Sequence, residues 1–186
     1  MSSDREPVPV LSTRSVFDGR VVSLRLEEIE LPGGRRSTLE VIRHPGAAAV
    51  VPVDAEGQVL LVRQYRHATG GEWLLEVPAG KLDPGEAPEA CAARECEEET
   101  GRRPGELVPL GWIWTTPGFT DERIWLYLAR DLRAGRQNLQ ADEELRVERR
   151  PFREALALAL DGGLEDGKSI AALARAARYL GMLSST

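Results

Sequence analysis

The sequence predicts a mixed α/β (α+β) layered domain, and three observations lead to that prediction. Segments with strand character outnumber helical segments, the helical segments lie mid-chain and late, and the run Ala47–Val53 is continuously apolar, as in a strand buried on both faces. The 186 residues suit one domain, or one domain with a sizeable appendage. Helices layered on a sheet are the arrangement that this order of elements favours.

The N-terminal part is predicted to be a flexible tail followed by a hairpin. Residues 1–13 are largely polar and contain two prolines, which favours a frayed tail. Val21–Leu31 and Leu39–His44 have strand patterns, and Pro32-Gly33-Gly34 turns the chain between them. These two strands are therefore expected to pair as a hairpin.

Further strands and three helices are predicted after the hairpin. Besides Ala47–Val53, the expected strands are Gln58–Arg66, Glu72–Pro78, Val108–Trp114 and Arg123–Arg130. The expected helices are Glu89–Thr100, with Pro88 in its first turn and Gly101 just past its end, Pro151–Leu160, and the amphipathic Ser169–Leu180. Three tryptophans on the late strands, expected to pack in the core or at a dimer interface, are Trp112, Trp114 and Trp125.

The composition excludes several classes of function. The chain carries 24 Lys and Arg against 30 Asp and Glu, a net charge of −6, without a long basic block, so neither nucleic acid nor a membrane surface is an expected partner. Its two histidines cannot fill the histidine-based zinc motifs. Cys91 and Cys96 lie five residues apart on one predicted helix, too far apart for a disulfide. With no visible signal peptide, a reducing compartment, the cytoplasm, is expected.

One helix face collects carboxylates. Glu95, Glu98 and Glu99 are spaced three and four residues apart, which places them on one face of the predicted helix Glu89–Thr100. Residues 76–99 hold eight acids and two bases, a net charge of −6 that equals the surplus of the whole chain. Because like charges repel, this face indicates a divalent cation with oxygen ligands, and a solvated acidic face is the alternative.

The residues around this face resemble a known signature. The Nudix hydrolases carry the pattern G-x5-E-x7-R-E-U-x-E-E-x-G-U, in which U is a bulky aliphatic residue. The matching glycine and charged positions are Gly80, Glu86, Arg94, Glu95, Glu98, Glu99 and Gly101. Cys96 and Arg102 stand at the U positions and depart from the pattern, a difference that concerns helix packing. The resemblance implies a Nudix-type α/β/α sandwich with a mixed sheet and an N-terminal antiparallel sheet.

The resemblance also implies a Mg²⁺ or Mn²⁺ cofactor and the residues that hold it. The implied metal ligands are the carboxylates of Glu95, Glu98 and Glu99 and the carbonyl of Ala79. Glu86 would brace the loop after Gly80 through Arg94. By the same resemblance, Glu86, Arg94 and Glu98 are counted among the catalytic residues. In such sites Mg²⁺ is held by a few carboxylates while substrate phosphate oxygens complete its shell.

Flanking residues resemble the ADP-ribose pyrophosphatase branch of the family. Pro117 follows Gly101 by sixteen residues within TTPGFTDE, and the segments LLVRQYR and WLLEVPAG are also typical of that branch. The late acidic segment Ala141–Val147 falls where those enzymes place a catalytic glutamate. Glu143 is the best match by position, and Glu144 is the neighbouring candidate.

The same resemblance implies substrate contacts and a homodimer. The implied substrate contacts are Glu40, Arg63, Arg66, Pro117 and Gly118. The N-terminal strands, residues 14–46, would mediate dimerisation and help to bind adenine, and residues 47–186 would form the catalytic domain with the C-terminal helices. Plainer alternatives stay open, namely Pro117-Gly118 as a simple turn, Arg66 as a surface arginine and Glu143 as a solvated acid.

The predicted activity is metal-dependent hydrolysis of the pyrophosphate bond in a nucleoside diphosphate linked to another moiety. ADP-ribose, giving AMP and ribose 5-phosphate, is the first expected substrate. Another nucleotide sugar such as GDP-mannose, a reduced dinucleotide such as NADH, or a dinucleoside polyphosphate is the alternative. A catalytically silent nucleotide-binding regulatory domain is a further alternative, although every glutamate of the signature is present.

Overall fold

The chain divides into two compact units. The computed structural model describes residues 7–140 and 143–183. The first unit comprises Met1–Pro45 and Trp114–Glu122, and the second comprises Gly46–Ile113 and Arg123–Thr186. The boundary after Pro45 lies beside the one expected at residue 46, whereas no sequence pattern indicated that Trp114–Glu122 belongs with the N-terminal strands.

The first unit is built on an antiparallel sheet. Its strands, in spatial order, are β1 (Val10–Asp18), β2 (Ser23–Leu31) and β3 (Arg35–Arg43). Strands β2 and β3 form the expected hairpin. Gly33 and Gly34 turn the chain at φ values of +88° and +77°, which glycine adopts without a steric cost. The N-terminal antiparallel sheet expected from the sequence is therefore present.

The predicted flexible tail, residues 1–13, is wrong for its last part. Val10 and Thr13 belong to β1, where they lie opposite Ile29 and Glu27 of β2. All nine residues of β1 are exposed, so no alternation of burial marks this strand in the sequence. Backbone pairing with β2 orders it instead. Residues 1–6 lie outside the described residues.

The second unit carries the helices and the remaining strands, except that Trp114, the last residue of one strand, belongs to the first unit. Its strands are β4 (Ala47–Pro52), β5 (Gln58–Arg66), β6 (Glu72–Glu76), β7 (Ala79–Lys81), β8 (Arg102–Arg103), β9 (Glu106–Trp114), β10 (Arg123–Arg130), β11 (Arg133–Ala134) and β12 (Leu145–Pro151). Its helices are α1 (Pro88–Thr100), α2 (Phe152–Asp161) and α3 (Gly167–Tyr179). The strands are ordered β7-β4-β10-β9, β12-β5-β6 and β11-β8. None of the helices described in residues 7–140 and 143–183 has the length and apolar character needed to cross a bilayer.

Strand β4 lies between two helical layers. It runs parallel to β10 and antiparallel to β7, so the sheet is mixed, as expected. Successive side chains of a strand point to opposite faces. Ala48 and Val50 accordingly pack in an apolar cluster with α1, whereas Ala49 and Val51 pack in a second cluster with α2 and α3. Every residue of β4 is buried, which confirms the predicted strand with two buried faces and the α/β/α arrangement.

Strand β12 is the main element that the sequence patterns missed. Its residues Leu145–Val147 form the end of the segment predicted to be an acidic loop, and they pair with β5. Leu145 is the one buried residue of this strand, so its charged and exposed residues carry no strand pattern. Helix α2 then begins at Phe152, beside the expected Pro151. Residues 141 and 142 of the predicted acidic segment lie outside the described residues.

Candidate active site

Strand β7 and helix α1 approach each other closely at Gly80. A Cβ atom on Gly80 would lie 1.8 Å from Oε1 of Glu95, far inside the contact distance of two heavy atoms. The Glu95 carboxylate therefore packs against the strand backbone in a space that a larger residue would fill. The signature glycine brings a helix carboxylate against the strand that contains Ala79.

Arg94 gathers three signature glutamates. Its Nη1 donates to Glu95 Oε1 at 2.6 Å and to Glu98 Oε2 at 3.1 Å. Its Nε and Nη2 donate to the two carboxylate oxygens of Glu86 at 2.8 and 2.9 Å, and Nη2 also reaches the Lys81 carbonyl at 3.1 Å. A bidentate arginine–carboxylate pair fixes orientation as well as charge. The expected contact between Glu86 and Arg94 is thus present.

Glu86 closes the loop between β7 and α1. The Asp83 N–H donates to Glu86 Oε2 at 3.0 Å, and the Glu86 N–H donates to the Asp83 carbonyl at 2.9 Å. The Arg94 guanidinium, assisted by the Asp83 N–H, lowers the pKa of Glu86 to about 2. Glu86 is therefore an anion at neutral pH that orients Arg94, and it does not serve as a proton donor.

Two carboxylates of α1 are almost fully buried. Glu95 is 2% exposed and Glu99 is 1% exposed. Burial raises the pKa of Glu95 to about 7, although Arg94 acts in the opposite direction. Burial, followed by the charges of Glu95 and Glu143, raises the pKa of Glu99 well above its ordinary value. Buried anions that repel each other in this way are stabilised by a cation among them.

Glu99 carries a carboxylate oxygen without a partner. The backbone of Ala79 lowers the pKa of this carboxyl group, but burial outweighs that effect. Within residues 7–140 and 143–183, Oε2 of Glu99 is the only buried side-chain nitrogen or oxygen that lacks a hydrogen bond. Such an atom loses its hydration without compensation, so a bound cation would offset the cost.

The donor chemistry of this face fits a hard divalent cation. The side chains of Glu95, Glu98 and Glu99 offer carboxylate oxygens, which Mg²⁺ and Mn²⁺ prefer. Among the described residues, no three acidic, histidine or cysteine side chains already converge as a metal site. Arg94 contacts one oxygen of each carboxylate, Oε1 of Glu95 and Oε2 of Glu98, so these hydrogen bonds leave the second oxygen of each group for a cation.

Glu143 lies in a segment that is tied to α1 on one side and to β5 on the other. The Asn138 N–H donates to the Glu98 carbonyl at 2.9 Å, and the Tyr65 N–H donates to the Glu144 carbonyl at 3.2 Å. Between these two tethers, the Gln140 N–H donates to Oε2 of Glu143 at 2.9 Å.

The charge of Glu143 reaches the buried carboxylates. It raises the pKa of both Glu95 and Glu99. Glu143 is half-buried, whereas Glu144 is exposed. Of the two candidates left open by the sequence, Glu143 is the less exposed, and its charge acts on the signature residues.

Two arginines predicted to contact substrate are engaged by acidic side chains. Arg66 donates through Nε and Nη2 to both oxygens of Glu76, at 2.8 and 2.7 Å. Arg63 pairs with Glu148, and its Nη1 donates to the Trp73 carbonyl at 3.3 Å. Arg66 is thus more than a free surface arginine, and a substrate role for either residue stays a prediction.

The other predicted substrate residues belong to the first unit. Glu40 is exposed on β3, and Pro117 and Gly118 are exposed in a turn. The Ile42 N–H donates to the Phe119 carbonyl at 2.8 Å, which fastens that turn to β3. The simple-turn interpretation of Pro117-Gly118 therefore agrees with the local structure, and their substrate role stays a prediction.

The two cysteines are free and buried, in agreement with the predicted absence of a disulfide. Burial raises the pKa of both Cys91 and Cys96 to about 12. Because the thiolate is the nucleophile, neither residue is suited to nucleophilic catalysis at neutral pH. They serve as small apolar residues that pack α1 against β4.

Core packing is the wrong expectation for two of the tryptophans. Trp112 and Trp114 are 43% and 41% exposed. The guanidinium of Arg123 lies 4.5 Å from the ring centroid of Trp112. Trp125 is partly buried against the cluster that contains α1, as expected for a core residue.

A polar cluster in the second unit carried no sequence signal that we recognised. Glu76 is 1% exposed and pairs with both Arg66 and Lys168. Lys168 Nζ also donates to Asp166 Oδ2 at 2.9 Å. The one local pattern available was Asp166 at the start of a helix, where its side chain accepts from the Ser169 N–H. It indicates a helix cap and says nothing about the distant Glu76.

The likeness to Nudix proteins extends beyond the signature, since the NUDIX domain model matches residues 43–173. The chain belongs to the Nudix family. It is 40% identical to an ADP-ribose pyrophosphatase of Bacillus subtilis (strain 168) over 138 residues, 74% of this chain and 74% of that protein. It is 38% identical to a methanol dehydrogenase activator of Bacillus methanolicus over 165 residues, 88% of this chain and 89% of that protein.

A solved structure shares the Nudix fold of this chain. The crystal structure of an ADP compounds hydrolase superposes with a TM-score of 0.83 at 24% identity, covering 97% of this chain and 98% of that chain. The predicted fold class is confirmed by this match. The family and enzyme class predicted from the sequence, a Nudix pyrophosphohydrolase, are confirmed by the domain match and the pyrophosphatase relative. Nudix hydrolases generally depend on a divalent metal, in agreement with the donor chemistry of α1.

Proposed function

We propose that this Nudix protein hydrolyses ADP-ribose to AMP and ribose 5-phosphate with Mg²⁺ or Mn²⁺ as its cofactor. The observation that carries the proposal is the complete acidic face of α1, with an unpaired buried oxygen on Glu99. The Bacillus subtilis relative, an ADP-ribose pyrophosphatase by name, supports this substrate. So do the segments around Arg66 and Pro117, which resemble that branch of the family.

The residues proposed to hold the cation are Glu95, Glu98 and Glu99, with the carbonyl of Ala79. When bound, the ion would neutralise charge on the pyrophosphate oxygens and activate a water molecule. The close approach of Gly80 to Glu95 supports this set, because it holds strand β7 against the acidic face.

The remaining groups would orient the metal ligands and accept a proton from the attacking water. Arg94, anchored on Glu86, sets the orientation of Glu95 and Glu98. Glu143 would accept a proton from the attacking water or orient it, a role that fits a half-buried carboxylate beside the acidic helix. Positioning and charge neutralisation are the main requirements of phosphoryl chemistry, and these are the contributions that the proposed groups would make.

Substrate contacts and the assembly are further parts of the proposal. The residues proposed to contact the nucleotide are Glu40, Arg63, Arg66, Pro117 and Gly118. We infer a homodimer that uses the N-terminal sheet, because β1 exposes four large apolar side chains, Val10, Leu11, Val16 and Phe17. Light scattering of the wild type and of Phe17→Asp tests the dimer, and a monomeric wild type would exclude it.

A cytoplasmic location is also proposed. It is supported by two free, buried thiols, Cys91 and Cys96, which fit a reducing compartment. Fractionation of cells that make the tagged protein tests this location.

The activity is tested by incubating the protein with Mg²⁺ or Mn²⁺ and a panel of nucleotides, and by measuring released AMP or other nucleotide. The panel contains ADP-ribose, GDP-mannose, NADH and a dinucleoside polyphosphate. Preferred turnover of ADP-ribose is expected, and turnover of another member alone would replace the substrate. The alternative of a catalytically silent regulatory domain is tested as well, because one relative is named a methanol dehydrogenase activator. Metal binding with no hydrolysis of any panel member would favour that alternative.

A further inference from the structure

Glu76 is a buried anion held by two cations from different elements. Arg66 of β5 binds both carboxylate oxygens, and Lys168 of α3 binds Oε2. The side chains of Glu76 and Lys168 are 2% and 12% exposed. Asp166, which caps α3, accepts from Lys168 Nζ at 2.9 Å and balances the second positive charge. The cluster therefore joins the end of β6 to the N-terminal end of α3.

Ser169 makes a second connection from α3 to the same strand end. Its Oγ accepts from the Val77 N–H at 2.8 Å, and Ser169 is 0% exposed. The Asp166 carboxylate accepts hydrogen bonds from both the N–H and the hydroxyl of Ser169. The hydroxyl hydrogen is thereby directed to Asp166, and a lone pair of Oγ is directed to the Val77 N–H. Two successive residues, Glu76 and Val77, are thus held by two successive residues of α3.

The segment that α3 holds leads directly to the proposed metal site. The Pro78 carbonyl accepts from the Val50 N–H at 2.9 Å, and the next residue, Ala79, begins β7. The following residue, Gly80, lies so close to α1 that a Cβ atom there would be 1.8 Å from Oε1 of Glu95. A displacement of the segment held by α3 would therefore be passed to the strand that packs against Glu95.

We propose that Lys168 and Ser169, at the N-terminal end of α3, are positioning residues that hold the Glu76–Ala79 segment, and with it strand β7, in place against the metal-binding face of α1. This inference rests on the metal site of the proposed function. It assigns a role to the C-terminal helix, for which the sequence alone indicated only packing. A buried ion pair stabilises folds weakly on balance, so a contribution to specific geometry is the stronger reason for its presence.

The test compares purified variants with the full-length wild type. Lys168→Met removes the charge and keeps most of the side-chain volume, and Lys168→Arg keeps the charge. Ser169→Ala removes the acceptor of the Val77 N–H and leaves the ionic cluster intact. This variant therefore tests the proposal even if Lys168→Met does not fold. Arg178→Met is the matched control, because it removes a cation from an exposed position on the same helix.

The primary measurement is the affinity for Mn²⁺ in the absence of nucleotide, by electron paramagnetic resonance. Lys168→Met and Ser169→Ala should each weaken binding by about tenfold, the usual effect of losing a group that supports metal ligands. Lys168→Arg should recover most of the affinity, and Arg178→Met should match the wild type. Circular dichroism and thermal unfolding verify that each variant is folded.

A kinetic measurement separates positioning from general damage. Raising the Mn²⁺ concentration should restore the turnover of Lys168→Met, since the defect lies in metal affinity. Folded variants with wild-type affinity would overturn the proposal, and so would an equal loss in Arg178→Met or a wild type that binds no Mn²⁺. A wild type that binds Mn²⁺ but does not turn over ADP-ribose would overturn the proposed substrate and leave the Mn²⁺ comparison decisive for Lys168 and Ser169.

Discussion

The backbone of Gly80 and the carboxylate of Glu95 are in such close contact that a methyl group on Gly80 would lie 1.8 Å from Oε1. One residue of the pair lies on a strand and the other on the helix that follows it. Their contact sets the distance between β7 and the acidic face of α1. The residue before Gly80 on β7, Ala79, is the one whose carbonyl is proposed to bind the metal.

Gly80→Ala should destabilise the protein by about 2 kcal/mol, the usual cost of forcing a methyl group into a packed site. It should also weaken Mn²⁺ binding, because Glu95 must move. In a Glu95→Ala background the stability cost of Gly80→Ala should largely vanish, since the colliding carboxylate is gone. Urea unfolding of the four proteins in this cycle measures the coupling, and simple additivity would contradict the contact.

Metal affinity should rise with pH. The folded protein raises the pKa of Glu95 from 4.5 to about 7, so the carboxyl group is partly protonated at neutral pH without metal. A ligand must be ionised, so Mn²⁺ binding should release a proton and strengthen up to about tenfold per pH unit below pH 7. Titration calorimetry in two buffers of different ionisation enthalpy counts the protons, and a pH-independent affinity would exclude Glu95 as a ligand.

The contribution of Glu95 to the stability of the metal-free protein should fall as the pH rises, which is the opposite of the trend in metal affinity. A carboxyl group whose pKa is higher in the folded state than in the unfolded state binds its proton more tightly when folded. Its contribution is therefore fully present below pH 4.5 and is lost as the pH rises through about 7. Urea midpoints of wild type and Glu95→Gln between these values test the sign, since the variant should be less dependent on pH.

Glu99→Gln should separate stability from function. The folded protein raises the pKa of Glu99 well above its ordinary value, so at pH 8 this group either carries a buried charge or binds a proton that the unfolded chain has released. The neutral amide avoids both costs, so the metal-free variant should be more stable than the wild type at pH 8, by about 1 kcal/mol. It should lose most of the activity and of the stabilisation that Mn²⁺ confers on the wild type. Thermal unfolding with and without Mn²⁺ measures both effects. Full activity in this variant would remove Glu99 from the metal site.

Glu143→Gln and Glu144→Gln form a matched pair of adjacent substitutions. Glu143 is half-buried and acts on the charges of α1, whereas Glu144 is exposed. If Glu143 accepts the proton of the attacking water, its variant should lose about 10²- to 10⁴-fold in kcat, and Glu144→Gln should stay within about twofold. Steady-state kinetics at saturating metal decides between them, and the reverse order would transfer the role to Glu144.

Much of the site was predictable because its residues lie close together in the sequence. Gly80, Glu86 and Arg94 fall within one short strand, the loop that follows it and one helix, and the helical period alone places Arg94 beside Glu98. The strand Ala47–Pro52 was equally clear, because a strand buried on both faces is apolar throughout. Local periodicity is visible in a sequence before any tertiary contact is known.

Features that depend on distant partners were not predictable. Strands β1 and β12 expose most of their residues, so only pairing with β2 and β5 identifies them. The contact of Lys168 with Glu76 joins positions 92 residues apart, and no local sequence pattern indicates it.

The sequence by itself determined the family, the acidic helix and the spacing of its carboxylates, because those follow from residues a few positions apart. Only the tertiary structure decided which carboxylates are buried. Glu95 and Glu99 are enclosed, while the side chain of Glu98 is 27% exposed. Burial depends on the strands and helices that surround α1, and it sets the cost of each negative charge. That cost, and with it the demand for a cation, arises only when distant segments exclude water from the helix face.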